Sequence, residues 1–215
     1  MSGRPVARQD SDTLSNFGQR ERLFKILVIG DYGVGKTAIV RRYTEGKFSS
    51  NYKITIGADF AIKSLNWDAE TKINLQLWDI AGHERFGYMT RVYYKYAVAA
   101  ALVFDISRVA TFRSVKKWLA DLREKTGDLP VVLLANKCDI NQAAVTNDQI
   151  VKFCKENDIG SWFITSAKEN SNIDKAMNYL VNVILNSVSE EPLRESIRLR
   201  DNNTAPEKKS CCKSL

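Results

Sequence analysis

The segment "LFKILVIGDYGVGKT", residues 23–37, decides the fold of this chain. It opens with a largely apolar run rich in Leu, Ile and Val, which predicts a buried β-strand. Residues 30–37, "GDYGVGKT", match the pattern G-x-x-x-x-G-K-[ST], and the helical stretch "KTAIVRRYTEG" starts at their end. This order of strand, glycine-containing loop and helix predicts a phosphate-binding loop at the start of an α/β domain.

The residue types in the loop explain how it would bind phosphate. Its glycines let successive backbone N–H groups surround phosphate oxygens, and the helix N-terminus adds a partial positive charge. Lys36 is predicted to contact the β- and γ-phosphates and Thr37 to bind Mg²⁺. The predicted nucleotide contacts of this loop are Gly33, Val34, Gly35, Lys36, Thr37 and Ala38.

The remaining pattern predicts an α/β fold with a doubly wound, mostly parallel six-stranded sheet. Two strand-like segments around the turn-prone "DAET" indicate a hairpin, which supplies one antiparallel edge strand. Continuous apolar strands alternate with helical patterns, and such strands are typical of parallel sheets with helices on both faces. The segments are "ADFAIKSLNW", "KINLQLWDI", "VAAALVFDI", "LPVVLLANK" and "SWFITSA" for strands and "TFRSVKKWLADLREK", "TNDQIVKFCKEND" and "NIDKAMNYLVNVILNSV" for helices.

Composition bounds the class of protein. The 215 residues fit one domain at 23–188, with a polar, flexible arm at 1–22 and a charged, disordered tail at 189–215. No secretory signal or membrane-spanning run is apparent. Of the four cysteines, neither interior one, Cys138 or Cys154, has a nearby Cys or His at metal-ligand spacing, which favours a reducing compartment. The net charge of +7 forms no basic stripe, so no nucleic-acid partner is expected.

The segment "NKCD", residues 136–139, follows a predicted strand and indicates guanine recognition. Asp139 can accept hydrogen bonds from the N1–H and the exocyclic amine of guanine, and adenine cannot supply that pair of donors. Asn136 is predicted to tie this loop to the phosphate loop, and the stem of Lys137 to cover one face of the base. The later "TSAK" adds Ser166, Ala167 and Lys168, with the Ala167 N–H directed to the guanine carbonyl. An ATP-using enzyme or kinase is therefore disfavoured.

The segment "DIAGHE", residues 79–84, supplies a D-x-x-G element after a strand. Asp79 is predicted to hold Mg²⁺ through water, and the Gly82 amide to bond the γ-phosphate. The next residue, His83, is the only histidine of the chain. By itself it could be a catalytic base, a metal ligand or a bystander.

Taken together, these motifs resemble those of the small GTPases, and within them the Rab branch. The Rab resemblance rests on "IGADF", "LQLWDIAG", "YYKYA" and "LVFDIS" and covers residues 23–188. It implies the P-loop small GTPase fold, GTP and GDP as ligands with Mg²⁺, and hydrolysis of GTP. It also implies that Phe48 stacks on guanine and that Thr55 meets Mg²⁺ when γ-phosphate is present. Phe60, Trp78 and Tyr93 match the aromatic triad that binds effectors.

The resemblance further implies the partners and the location of the chain. Regulation is expected from an exchange factor, a GTPase-activating protein, a GDP-dissociation inhibitor and a prenylation escort, with effectors at the switch regions. The ending "CCKSL" resembles doubly geranylgeranylated Rab tails, with lipids on Cys211 and Cys212. The chain looks most like the Rab subgroup that serves lysosome-related organelles. It is therefore expected to regulate vesicle traffic on the cytoplasmic face of such a membrane and to cycle with the cytosol.

Two departures from the family pattern concern hydrolysis. His83 stands where glutamine usually orients the attacking water, and neutral imidazole offers one donor and one acceptor on a rigid ring. Tyr32 is bulky where a small phosphate-loop residue is common, so it would crowd the entry of an activator's arginine. His83 therefore predicts slow intrinsic hydrolysis, and Tyr32 predicts a long-lived GTP-bound state. The alternatives are a GTP-binding scaffold with negligible hydrolysis, reset by nucleotide exchange, and harmless variation at both positions.

Overall fold

Six strands and five helices are formed by the residues that the computed structural model describes, which are 20–51, 53–82 and 90–189. The predicted arm up to residue 19, His83 and the tail with Cys211 and Cys212 lie outside them. In chain order the elements are β1 (Arg20–Ile29), α1 (Lys36–Glu45), β2 (Ala58–Asn66), β3 (Thr71–Ile80), α2 (Thr90–Tyr94), β4 (Ala99–Asp105), α3 (Val109–Thr126), β5 (Val131–Asn136), α4 (Asn147–Glu156), β6 (Ser161–Ile164) and α5 (Ile173–Ser189).

The strands form one sheet in the order β2-β3-β1-β4-β5-β6. β2 pairs antiparallel with β3, and every other neighbouring pair is parallel. The predicted sheet, with one antiparallel strand at its edge, is therefore confirmed. Because crossover connections place helices on the sheet faces, this topology also explains the continuous apolar strands.

Both faces of the sheet are buried, as β4 illustrates. All seven of its residues are buried, because alternate side chains enter two different cores. Ala99, Ala101 and Val103 pack with side chains of α1 and α5. Ala100, Leu102 and Phe104 face the other way and pack with side chains of α2, α3 and α4. A strand buried on both sides has no polar face, so the sequence of β4 is apolar up to its last residue, Asp105.

Two local features differ from the sequence-based expectation. β1 begins at Arg20, three residues before Leu23, because its backbone pairs with the start of β3 at Thr71. Helix α2 has only five residues, too short for a helical period to be visible in the sequence. Its last residue, Tyr94, is buried in the core formed with α3 and α4.

The carboxyl ends of β1, β3, β4 and β5 lie at one edge of the sheet, since these strands are parallel to one another. The loops that follow them contain residues 30–35, 81–82, 106–108 and 137–140. In open α/β sheets, ligands bind at this edge. The predicted site residues that the structure describes can therefore be sought there.

Candidate functional site

The phosphate loop runs from Gly30 to Gly35, between β1 and α1. Gly35 is the residue that precedes α1 and has a left-handed backbone with φ of 99°. A Cβ atom at this position would lie 2.4 Å from Nδ2 of Asn136, so a side chain is excluded both by conformation and by space. The loop is thereby packed directly against the end of β5.

Lys36, the first residue of α1, is buried to 6% exposure. Its Nζ donates to the carbonyl oxygens of Gly30 at 2.8 Å and Asp31 at 2.9 Å. Burial lowers the pKa of Lys36 to about 8, although the charges of Asp79 and Asp31 act against the shift. An ammonium held mainly by carbonyl oxygens in a buried position is well suited to an anion such as a phosphate.

Three residues predicted to bind Mg²⁺ lie together. The Oγ1 atoms of Thr37 and Thr55 are 3.0 Å apart, and both hydroxyls contact Oδ2 of Asp79, with Thr55 at 3.4 Å. The Asp79 side chain is 1% exposed, and its Oδ1 has no hydrogen-bond partner among the described residues. Hydroxyl and carboxylate oxygens are ligands that Mg²⁺ prefers, so this donor set fits the ion.

The charge of Asp79 is not fully compensated by these contacts. Burial raises the pKa of its carboxyl, and the negative charge of Asp59 adds to the shift. Hydrogen bonds from Thr37 and Thr55 and the charge of Lys36 oppose it without cancelling it. A buried carboxylate with one unsatisfied oxygen is costly unless a cation is near, which again fits a divalent ion.

The loops after β5 and β6 meet beside the phosphate loop. Asn136 donates from Nδ2 to the carbonyl oxygen of Val34 at 2.8 Å, and its Oδ1 accepts from Thr165 Oγ1 at 3.3 Å. Asp139 accepts at Oδ1 from Ser166 Oγ at 2.6 Å. The Asn136 amide therefore joins the predicted phosphate-binding and base-binding segments, as the sequence suggested.

A cleft of about 690 Å³ adjoins the predicted phosphate-binding and base-binding residues. It includes Tyr32, whose side chain is 56% exposed. Among the residues predicted to contact the nucleotide, those lining this cleft are Gly33, Gly35, Lys36, Thr37, Ala38, Phe48, Thr55, Gly82 and Lys137. Gly82 approaches the phosphate loop so closely that a Cβ atom on it would lie 2.3 Å from the backbone nitrogen of Tyr32.

The remaining predicted residues lie next to the cleft or outside the described chain. Asp79 and Val34 are attached to its wall through the contacts above, and Lys168 Nζ lies 3.9 Å from Asp139 Oδ2. Ala167 is buried. The position predicted to orient water, His83, is not among the residues that the structure describes.

Comparison with known proteins agrees with this geometry. The family model described as Ras family matches residues 25–186. Ras-related protein Rab-32A of Dictyostelium discoideum is 50% identical over 210 residues, which cover 91% of this chain and 96% of the relative. Ras-related protein Rab-32 of Homo sapiens is 52% identical over 203 residues, 90% of each chain. The chain belongs to the Rab branch of the Ras family.

A second group of relatives supports the same branch. Ras-related protein Rab-7L1 of Homo sapiens is 47% identical over 179 residues, which cover 81% of this chain and 88% of the relative. As a Rab GTPase, the chain is a GTP hydrolase and a GTP-binding switch in vesicle trafficking, in a family that binds GTP and GDP with Mg²⁺. Rab proteins act with exchange factors, activating proteins, dissociation inhibitors and effectors.

None of the helices in residues 20–51, 53–82 and 90–189 has the length and apolarity needed to cross a bilayer. The similarity to Rab-32 and Rab-7L1 proteins indicates association with endomembranes.

The three aromatic residues predicted to bind Rab effectors form a cluster in which the Trp78 ring lies beside the other two. The β2–β3 register places Phe60 opposite Trp78, and their rings stack with centroids 5.8 Å apart. The ring of Tyr93, from α2, lies 6.3 Å from that of Trp78. Lys25 Nζ lies 3.8 Å from the centroid of the Trp78 ring. Phe60 is 59% exposed, so the cluster presents apolar area to solvent.

The sequence-based reading of this Rab chain missed residues that hold the loops in place. Arg42, in the last turn of α1, donates from Nε to Ala167 O at 2.8 Å and from Nη2 to Lys168 O at 3.0 Å. Trp118, on α3, donates from Nε1 to Asp31 Oδ1 at 2.8 Å. An arginine and a tryptophan inside amphipathic helices carry no motif that reveals such partners, because the contacts join distant parts of the chain.

Proposed function

We propose that the cleft binds GTP and GDP with Mg²⁺ and that the chain is a membrane-anchored switch of vesicle traffic at a lysosome or lysosome-related organelle. The observation that carries the nucleotide site is the convergence of buried Lys36 with the Thr37, Thr55 and Asp79 oxygens at one cleft. A buried ammonium held by carbonyl oxygens, beside a buried carboxylate with one unpartnered oxygen, fits a ligand that brings both anionic phosphate and a divalent ion.

Each of the predicted contacts has a defined role in this proposal. The backbone of residues 33–38 and the Lys36 ammonium hold the phosphates. Thr37, Thr55 and Asp79 hold Mg²⁺, which neutralises phosphate charge. Gly82 contacts the γ-phosphate and Phe48 stacks on the base. Asn136, Lys137, Asp139, Ser166, Ala167 and Lys168 form the base site.

Removal of the metal tests the ion site. Because Mg²⁺ would neutralise phosphate charge beside buried Asp79, its chelation with EDTA should speed the release of bound GDP at least tenfold. Release is followed with a fluorescent GDP derivative chased by excess GDP. A Thr37→Ala variant should release GDP fast with or without EDTA, and an EDTA effect of normal size in that variant would contradict the role of Thr37.

Guanine specificity is tested by exchanging the acceptor that reads the base. Wild type should bind GDP far more tightly than ADP, because an unpaired carboxylate penalises adenine. In Asp139→Asn the side chain gains a donor, so preference should shift from GDP to xanthosine diphosphate, which carries a carbonyl at C2. Asp128→Asn, on a side chain that is 95% exposed, is the matched control and should keep the preference for GDP. An Asp139→Asn protein that still prefers GDP would refute the assignment.

Slow intrinsic hydrolysis is proposed from His83, which replaces the usual glutamine. The exposed Tyr32 ring at the cleft supports the related idea that entry of an activator's arginine is hindered. Single-turnover hydrolysis of GTP by wild type and His83→Gln, with and without a Rab activator, separates the effects. Faster intrinsic hydrolysis in His83→Gln supports the proposal, and equal rates contradict it.

The same experiment separates the switch from a second function. Negligible wild-type hydrolysis even with the activator would favour a GTP-binding scaffold that is reset by nucleotide exchange. The observation that keeps this alternative is again His83, because an imidazole protonated near neutral pH loses its acceptor for water.

The proposed chain organisation is a GTPase domain between an N-terminal arm and a C-terminal tail; since β1 begins at Arg20 and α5 ends at Ser189, the domain extends slightly beyond the predicted 23–188. Geranylgeranyl groups on Cys211 and Cys212 would anchor the tail, since two lipids give stable attachment where one is marginal. Wild type should co-fractionate with lysosomal membranes, and a Cys211→Ser, Cys212→Ser double variant should be cytosolic. Membrane attachment of the double variant would refute the anchor, and wild type on another organelle would refute the location.

Effector recruitment is proposed at the aromatic cluster of Phe60, Trp78 and Tyr93. Because Phe60 is largely exposed, Phe60→Ala should leave stability nearly unchanged while removing contact area from the cluster. Proteins retained by the GTP-analogue form but not by the GDP form of wild type should be lost with Phe60→Ala. Their full retention would argue against this surface.

A further inference from the structure

Asp105, at the carboxyl end of β4, is a buried carboxylate to which the motifs discussed above assign no role. Its side chain is 2% exposed. Oδ1 accepts from the backbone nitrogen of Ser107 at 3.0 Å and from its hydroxyl at 2.6 Å. Oδ2 accepts from Arg108 Nε at 2.9 Å and lies 2.8 Å from Lys137 Nζ. Four donors fill the acceptor capacity of a carboxylate, so the group is held in one orientation.

The electrostatics of Asp105 agree with an ionised, fully bonded group. Burial alone would raise the pKa of its carboxyl, but the hydrogen bonds from Lys137 and Ser107 and the charge of Lys137 outweigh it and lower the pKa. Among the described groups that face it, Lys137 and Arg108 are the cations. Removing the charge of Asp105 would therefore leave both cations without this partner.

Lys137 is the partner that reaches the cleft. Its backbone has φ of 68°, the left-handed region that residues with a side chain rarely occupy, and its side chain lines the cleft. Such a conformation persists when surrounding contacts hold it. The Lys137–Asp105 pair is one of these contacts, because it fixes the far end of the side chain whose stem borders the cleft.

Arg108 extends the same network to the phosphate loop. Asp105 fixes its Nε, and its Nη2 donates to the carbonyl oxygen of Tyr32 at 3.4 Å. The backbone at Arg108 is held as well, since its carbonyl oxygen accepts from Thr111 Oγ1 at 2.8 Å. A single buried carboxylate thus contacts one residue at the base end of the cleft and one that touches the phosphate loop.

We infer that Asp105 is a positioning residue for the bound nucleotide: it holds the Lys137 side chain along the cleft and, through Arg108, steadies the phosphate loop, which slows nucleotide release. This rests on the proposed function, because it requires a guanine nucleotide in the cleft. Asp105 does not itself line the cleft. Its effect should be equal for GDP and GTP, since the groups that it holds border the shared parts of the two ligands.

The test is a double-mutant cycle on the release rate of a fluorescent GDP derivative. Asp105→Asn keeps the shape of the side chain and removes its charge, while Lys137→Met keeps the unbranched stem and removes the ammonium. Each single variant should release the nucleotide roughly tenfold faster, the scale expected for a charged hydrogen bond. If Asp105 acts largely through Lys137, the double variant should exceed the faster single variant by no more than about threefold.

If Asp105 had only a structural role, the double-mutant cycle should give a different release rate for the double variant. Independent destabilisation would multiply the two effects, giving roughly a hundredfold in the double variant, and that result would overturn the inference. Release of the nucleotide from Asp105→Asn at the wild-type rate would also overturn the inference. Should Asp105→Asn not fold, Lys137→Met tests the pair from the other side, and release at the wild-type rate from that variant also overturns it.

A control substitution and a comparison of two nucleotides separate the effect of Asp105 from general changes in the protein. Glu21 and Lys72 form an ion pair of 2.9 Å far along the sheet from the cleft, so Glu21→Gln should leave release unchanged. Rates for GDP and a nonhydrolysable GTP analogue should rise by the same factor in Asp105→Asn, and a change confined to one ligand would contradict the inference. Wild type that binds neither nucleotide would instead refute the proposed function.

Discussion

Replacement of Asn136 by alanine tests whether one side chain joins the two halves of the site. Asn136 ends β5, and its side chain is buried between the phosphate loop and the loop after β6. Nδ2 donates to Val34 O at 2.8 Å, and Oδ1 accepts from Thr165 Oγ1 at 3.3 Å. Asn136→Ala deletes both contacts and leaves the strand itself intact.

The expected cost follows from the groups left behind. A buried polar group that loses its partner costs about 1–3 kcal/mol, and the variant leaves two such groups, on Val34 and Thr165. The 3.3 Å bond is the weaker of the two, so the total loss should be about 2–5 kcal/mol. That is a large share of the roughly 5–15 kcal/mol by which domains are stable.

Urea unfolding of the nucleotide-free protein, followed by tryptophan fluorescence, measures this loss. Asn182→Ala is the matched control, because Asn182 makes an exposed hydrogen bond within α5. The control should change stability by less than about 0.5 kcal/mol. A loss below about 1 kcal/mol in Asn136→Ala would refute the reasoning, because the two loops would then be joined without this amide.

Three further substitutions give independent tests. Gly82→Ala should weaken binding of a GTP analogue relative to GDP by roughly tenfold, because its Cβ would lie 2.4 Å from the backbone carbon of Asp31 and push the proposed γ-phosphate donor away; an unchanged affinity ratio would be inconsistent with that role. Trp118→Phe should cost about 1–2 kcal/mol in urea unfolding, since Asp31 loses its indole donor, and wild-type stability would show the bond to be dispensable. Leu102→Ala should cost about 2–5 kcal/mol by opening a cavity in the buried sheet, whereas Leu23→Ala, at an exposed position, should cost under about 1 kcal/mol; equal losses would contradict the assigned core.

The sheet was predictable because its central strands are apolar runs that alternate with helical segments in the sequence. β4 and β5 are apolar up to their last residues, Asp105 and Asn136, and a helix follows each strand, so parallel pairing was the favoured arrangement. The edge of β1 was less predictable, since Arg20–Arg22 pair through backbone atoms that do not depend on side-chain polarity. Helix α2 escaped prediction because one turn carries no period.

That the predicted metal-binding residues lie close together was predictable for a related reason. Thr37 and Asp79 follow or end strands that are parallel neighbours, so their approach needed only the correct sheet order. Asp105 was not identified, because an aspartate at the end of a strand resembles an ordinary turn residue. Its two cationic partners lie 3 and 32 positions further along the chain, and Lys137 has a left-handed backbone that no short sequence pattern predicts.

Helix α1 fixes the distance over which a ligand can be held. Lys36 at its start contacts the phosphate loop, and Arg42 near its end donates a hydrogen bond to Ala167 in the loop after β6. Six residues of α-helix separate the two side chains by about 9 Å along the axis. Because the helix is rigid, it sets the separation between the proposed phosphate-binding and base-binding ends of the site. Under the proposed assignment, inorganic phosphate or a free purine should occupy only one end, whereas a molecule with a sugar between ring and phosphates should span both.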